Sequence, residues 1–220
     1  MERTRQTIEG EHFTTRRIVI KIGTSTITAG KDKPDLVFMG DIARQAAVLF
    51  RGGVDVVIVS SGARGSGKRE DFPRTDIIDE QVDAVFGQPR LMTSWSIPFG
   101  AEGIQDIGQV LLTDNDFKEK SGNTKEVLLR AMKRGVVIIN YNDAVADEEM
   151  RKVERSVDND KLASDVARLI DADTILILTD TDGVMDQSEL IPVVNMRISK
   201  IQGHCILKLT KRFRLTHDSS

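Results

Sequence analysis

A single cysteine, Cys205, is all the thiol chemistry this chain holds. An internal disulfide is therefore excluded, and the expected setting is a reducing compartment, the cytoplasm. Histidine is nearly as scarce: His12, His204 and His217 lie near the two ends. No Cys/His cluster has zinc spacing, and there is neither a Ser-His-Asp order nor a G-x-S-x-G elbow. A bound metal held by the chain itself is not expected. No apolar run reaches the length needed to span a bilayer. The stretch from Met1 to Arg17 is polar and mixed in charge, which suits a flexible lead-in and neither a signal peptide nor an anchor. A charge excess is also missing: 31 Lys and Arg stand against 34 Asp and Glu, for a net charge of -3. That balance offers no electrostatic footprint for nucleic acid or a membrane surface.

What is present is the composition of a globular domain, with 40% hydrophobic and 30% charged residues in a chain of 220. That length can bury one substantial core. Strand-like and helix-like runs alternate. Ile18 to Ile22 is short, β-branched and closed by Gly23. Pro34 to Arg51 reads as a helix with Pro34 in its first turn and Leu36, Met39, Ala43, Ala46 and Leu49 or Phe50 at helical spacing. Val54 to Val59 is almost continuously apolar, as a strand covered on both faces would be. Gln109 to Leu112 predicts a third strand, and Thr124 to Arg134 a helix capped by Asn123 with Glu126 in a capping box. Val136 to Ile139, Asp160 to Ile170 and Thr174 to Leu178 read as strand, helix and strand. Lys68 to Gly108 has helical character broken by Pro73, Gly87, Pro89 and Pro98. This alternation predicts an α/β fold, a three-layer αβα sandwich around a mostly parallel sheet.

In such a sheet ligands gather at the carboxyl ends of the strands, and five short motifs fall there. Lys21-Ile22-Gly23-Thr24-Ser25 supplies a cation, a glycine that lets backbone approach a phosphate, and hydroxyl and amide donors. Ser60-Ser61-Gly62-Ala63, followed by Gly65 and Gly67, opens a helix start whose unpaired amides favour an anion. Gly23, Thr24 and Gly62 are thus candidate phosphate-binding positions. Asn140-Tyr141-Asn142-Asp143, Asp158-Asn159-Asp160 and Thr179-Asp180-Thr181-Asp182-Gly183 complete the set. Taken alone, each is equally a turn or a helix cap. Taken together, they put small, amide and acidic residues along one edge. A reaction without a nucleophilic side chain or a general base fits this inventory. Phosphoryl transfer to a carboxylate is one, because the attacking oxygen is already ionised at neutral pH.

Those motifs, with Gly87-Gln88, Leu91-Met92 and Gly108 to Thr113, run in order from about Arg17 to Asp186 and resemble the amino acid kinase family, within it the glutamate 5-kinase branch. The resemblance implies ATP-dependent phosphorylation of the glutamate side-chain carboxylate, the first step of proline biosynthesis, with Mg²⁺ beside the nucleotide. It implies that Lys21 stabilises the transferring phosphoryl group and that Asp160 orients the lysines. Ser61, Asp143 and Asn159 correspond to the glutamate-binding set, with Asp143 receiving the ammonium, and Thr179 and Asp180 to the nucleotide loop. It also implies a homo-oligomer, since members of the family commonly self-associate.

The chain departs from the family pattern in several places. Tyr141 stands where Glu is usual, Val157 where Gly is common, and Arg64 replaces an apolar residue beside the substrate loop. The family's later Gly-Thr-Gly-Gly-Met loop, followed by Thr-Lys, is absent, as is the RNA-binding-like accessory domain of many bacterial members. The expected organisation is therefore a lead over residues 1–16, a kinase-like domain over 17–199 that is incomplete at its C-terminal end, and a basic tail over 200–220. Two other functions stay open on these residues: a non-catalytic amino-acid-binding relative, and a kinase for another small carboxylate.

Overall fold

The computed structural model describes residues 15–28, 33–118, 120–145 and 159–178 with their side chains, and the backbone of 184–186, 189–191 and 205–209. Eight strands occur among them: β1 (Arg17–Ile22), β2 (Asp55–Ser60), β3 (Ile107–Leu112), β4 (Val136–Tyr141), β5 (Thr174–Leu178), β6 (Val184–Asp186), β7 (Glu189–Ile191) and β8 (Cys205–Leu209). The helices are α1 (Thr24–Thr28), α2 (Leu36–Arg51), α3 (Ala63–Gly67), α4 (Ile77–Ala101), α5 (Ser121–Arg134) and α6 (Asn159–Leu169). Six strands form one sheet in the order β3-β4-β2-β1-β5-β8, with every neighbouring pair parallel. β6 and β7 pair antiparallel with each other.

The two-residue period of a strand decides which layer each side chain meets. Ile18, Ile20 and Ile22 of β1 join Val56 and Ile58 of β2 and Ile138 of β4 in a core cluster with Met39, Ala43 and Ala46 of α2 and Leu91, Trp95 and Phe99 of α4. The intervening residues Val19, Val57, Val59, Val137 and Ile139 join Leu128 and Met132 of α5 and Leu162 and Val166 of α6. The sheet is thus sandwiched between α2 and α4 on one side and α5 and α6 on the other, as the sequence predicts. Among the described residues no helix is long and apolar enough to cross a membrane.

Several boundaries differ from expectation. α2 begins after Pro34: Asp35 is its N-cap, accepting from the Val37 and Phe38 amides at 3.0 and 3.1 Å, and Leu36 is exposed. α5 begins at Ser121, so Asn123 lies inside it and caps nothing. A capping box is instead found one element earlier, where Asp116 accepts from the Thr113 amide and hydroxyl, both at 2.7 Å, at the start of a 3-10 turn over Asp114–Phe117. Of the breaks expected between Lys68 and Gly108, the one at Pro73 holds, ahead of α4, while Gly87, Pro89 and Pro98 all lie inside that one continuous helix. Each interior proline costs about 3 kcal/mol. Full burial of Leu91, Trp95 and Phe99 between the prolines and around them offsets that at ~1.5–3 kcal/mol per side chain. Within the stretch expected to be a basic tail, Cys205–Leu209 instead extends the sheet, pairing parallel with β5 from Cys205 opposite Thr174 to Leu209 opposite Leu178. The physical reason is that β5 otherwise leaves a row of backbone donors and acceptors open on its outer side.

Candidate active site

Every strand of the main sheet runs the same way, so the loops after β1, β2 and β4 and the start of α6 share one edge. A cavity of about 390 Å³ opens there. Its wall includes Thr24 after β1, Ser61 and Gly62 after β2, Asp143 after β4 and Asn159 at the start of α6. Five residues singled out from separate parts of the sequence thus border one space. Ser61 and Asn159 touch directly: the Asn159 Nδ2 amide donates to Ser61 Oγ. Asp143 is buried in the same wall. Asn140 and Tyr141, expected in a loop, form the last two positions of β4 and also line the cavity.

Strand parity brings Lys21 to its partner. Being odd-numbered in β1, it shares a face with Val19, the face that α6 covers. Its Nζ lies 2.6 Å from Oδ1 of Asp160 in the first turn of α6, with the lysine side chain only 12% exposed and the aspartate 40%. Gly23 adjoins this pair, and a Cβ on it would sit 3.4 Å from Lys21 Nζ, an ordinary contact. The pair adjoins the cavity in sequence on both sides, through Thr24 and Asn159. α6 is held from its outer side as well. Lys161 Nζ donates to Asp114 Oδ1 at 2.9 Å, and this bond raises the lysine pKa above its ordinary value.

The turn after β2 is set by its backbone. Gly62 has φ +106, a left-handed conformation that a side chain would strain. The Ser61 amide donates to Ile22 O at 3.0 Å, tying this loop to the end of β1. Trp95 Nε1 donates to Ser60 Oγ at 3.0 Å and anchors the turn on α4. The later glycines serve another purpose. A Cβ on Gly67 would lie 1.8 Å from Asp83 O, and one on Gly87 1.7 Å from Ala63 O. Both glycines let α3 and α4 pack backbone to backbone, so Gly67 is a packing residue and not a phosphate-loop glycine.

Arg64, Arg74 and Glu80 also line the cavity. Arg64 stands out in the sequence as a departure from the family pattern. Arg74 and Glu80 carry no such signal, because only the docking of α3 on α4 brings them there. Thr179, Asp180, Asp158 and the three histidines lie outside the described residues. No group of three or more His, Cys, Asp or Glu that could hold a metal ion occurs among the described residues.

Comparison with known proteins gives a concordant result. The model of the amino acid kinase family matches residues 16–200. Glutamate 5-kinase of Shewanella pealeana is 40% identical over 177 residues, covering 78% of this chain and 46% of that protein. Glutamate 5-kinase of Shewanella halifaxensis is 40% identical over 178 residues, with 78% and 46% covered. Glutamate 5-kinase of Dehalococcoides mccartyi is 42% identical over 176 residues, with 77% and 46% covered. The chain spans less than half the length of these relatives.

Proposed function

This chain belongs to the amino acid kinase family, and we propose that it phosphorylates the side-chain carboxylate of glutamate with ATP as the donor, the first step of proline biosynthesis. The observation that carries this reading is the Lys21–Asp160 pair standing beside a cavity that Ser61, Asn159 and Asp143 line together. The relatives named glutamate 5-kinase supply the choice of substrate.

The chemistry asks little of the protein beyond placement and charge. The attacking carboxylate is ionised at neutral pH, so no general base is needed. Asp143 receives the substrate ammonium, while the Ser61 hydroxyl and the Asn159 amide orient the amino acid. Mg-ATP, when bound, supplies the phosphoryl group. Lys21 places a cation where charge develops during transfer, and Asp160 holds that cation in position; such preorganised charge acts chiefly on the transition state. The same reading makes the protein a cytoplasmic enzyme that self-associates and binds no nucleic acid.

Trapping the acyl phosphate with hydroxylamine, with glutamate and Mg-ATP as substrates, tests the reading. Glutamyl hydroxamate should accumulate in proportion to enzyme. Glutamate binding by calorimetry without any hydroxamate would leave an amino-acid-binding protein in place of a kinase. Hydroxamate from another small carboxylic acid but not from glutamate would reassign the substrate.

A further inference from the structure

The two arginines in the cavity wall are tied down very differently. Arg74 is committed: its guanidinium bonds Asp83, a buried carboxylate, and its Nη2 donates to Arg64 O at 3.4 Å. It neutralises a charge that could not be left alone and fastens the chain ahead of α4 to α3. Arg64 is 42% exposed and makes one guanidinium contact among the described residues, from Nη1 to Glu80 Oε2 at 2.5 Å. A guanidinium carries five N–H donors in a planar fork, so Arg64 borders the cavity with donors to spare. The same cavity holds Asp143. One space therefore presents both an acid for an ammonium and an incompletely used guanidinium for a carboxylate.

On the function proposed above, the reacting carboxylate must face Lys21, next to Thr24 and Asn159. The ammonium goes to Asp143. The α-carboxylate is then the one charged group of the substrate to which no charged side chain is assigned. We propose that Arg64 receives it, and that Arg64 is a specificity-determining residue requiring a free α-carboxylate in addition to the one phosphorylated. Glu80, itself part of the cavity wall, takes one donor of the guanidinium through Nη1, which leaves the other N–H groups of the fork for the substrate.

Calorimetric titration of the full chain with L-glutamate and with its α-amide, in the parent, Arg64→Gln and Glu80→Gln proteins, tests this. The parent should prefer glutamate over the α-amide by roughly tenfold to a hundredfold, the worth of one charge-assisted hydrogen bond. Arg64→Gln should bring the two ligands close to equal affinity, chiefly by weakening glutamate. Glu80→Gln should keep the preference, because it removes the anion competing for the fork. Arg64→Lys, which keeps the charge and loses the fork, should fall between parent and Arg64→Gln, and it serves if Arg64→Gln fails to fold. A preference that survives in Arg64→Gln or is unchanged in Arg64→Lys would overturn the assignment, as would Glu80→Gln and Arg64→Gln erasing it equally, the result expected of a mere brace between α3 and α4. A parent that binds neither ligand would overturn the glutamate reading itself and this inference with it.

Discussion

The two ends of the central sheet both carry charge and both enclose space, yet they are built to opposite purposes. At the amino ends of the strands lies a cavity of about 420 Å³ walled by Arg16, Arg17, Asp55, Lys133, Asp171 and Asp173. Its charges are consumed by one another. The buried Asp55 takes Lys133 Nζ at 2.8 and 3.0 Å and Arg17 Nε and Nη2 at 3.3 Å. Asp173 accepts the backbone amides of Arg16 and Arg17 at 2.7 and 2.9 Å, and Arg17 also caps the carbonyls of Ile170 and Asp171. At the carboxyl ends the cavity is no larger, but its wall carries Gly62 at the turn after β2, Ser61, Asn140 and Asp143 at or just past the strand ends, and Arg64 with guanidinium donors in reserve. Volume does not separate a brace from a site. What separates them is the arginine each holds: Arg17 spends its guanidinium on Asp55 and two backbone carbonyls, whereas Arg64 has one guanidinium contact among the described residues and donors left over.

That contrast is open to direct attack. Lys21→Ala should lower turnover the most, by roughly a hundredfold or more, with glutamate affinity nearly unchanged, because the cation acts on charge that appears only in the transition state. Hydroxamate production and calorimetry on the same preparation check both halves, and equal turnover would remove Lys21 from the mechanism. At the opposite end, Asp55→Asn should cost about 3 kcal/mol of stability in urea unfolding, since it strands the mostly buried Arg17 guanidinium. Its glutamate affinity should match the parent; a loss of binding without a loss of stability would erase the distinction between the two ends. Asp143→Asn should weaken glutamate binding by roughly 2–4 kcal/mol while the fold persists. Ser61→Ala should weaken it by about 1 kcal/mol, the worth of one neutral hydrogen bond. If both variants changed stability and left affinity alone, these residues would only shape their loops.

Much of this site is legible in the amino-acid order, and the reasons are local. Lys21, Gly23 and Thr24 follow a β-branched run, and Ser61 and Gly62 follow a second one. Asn159 and Asp160 open a periodic helical segment. A parallel sheet sends every strand's carboxyl end to the same edge, so motif order along the chain translates into proximity. Arg74 and Glu80 cannot be read in the same way. They belong to no motif, and they reach the cavity only because Gly67 and Gly87 let two helices close on each other. The Lys21–Asp160 contact belongs partly to each category: strand parity assigns Lys21 to a face, but nothing local says which helix covers it.

The αβα class, the parallel sheet and the identity of the strand-end residues follow from the order of residues alone, because period-2 and period-3.6 patterning and glycine turns are properties of neighbours in the chain. Three other outcomes are settled only by long-range packing. Pro89 and Pro98 lie within one helix, Cys205–Leu209 closes an edge of the sheet, and Arg64 has one carboxylate partner where Asp55 has two cations. Those outcomes depend on burial and on contacts between residues distant in the chain, and such energies have no local signature.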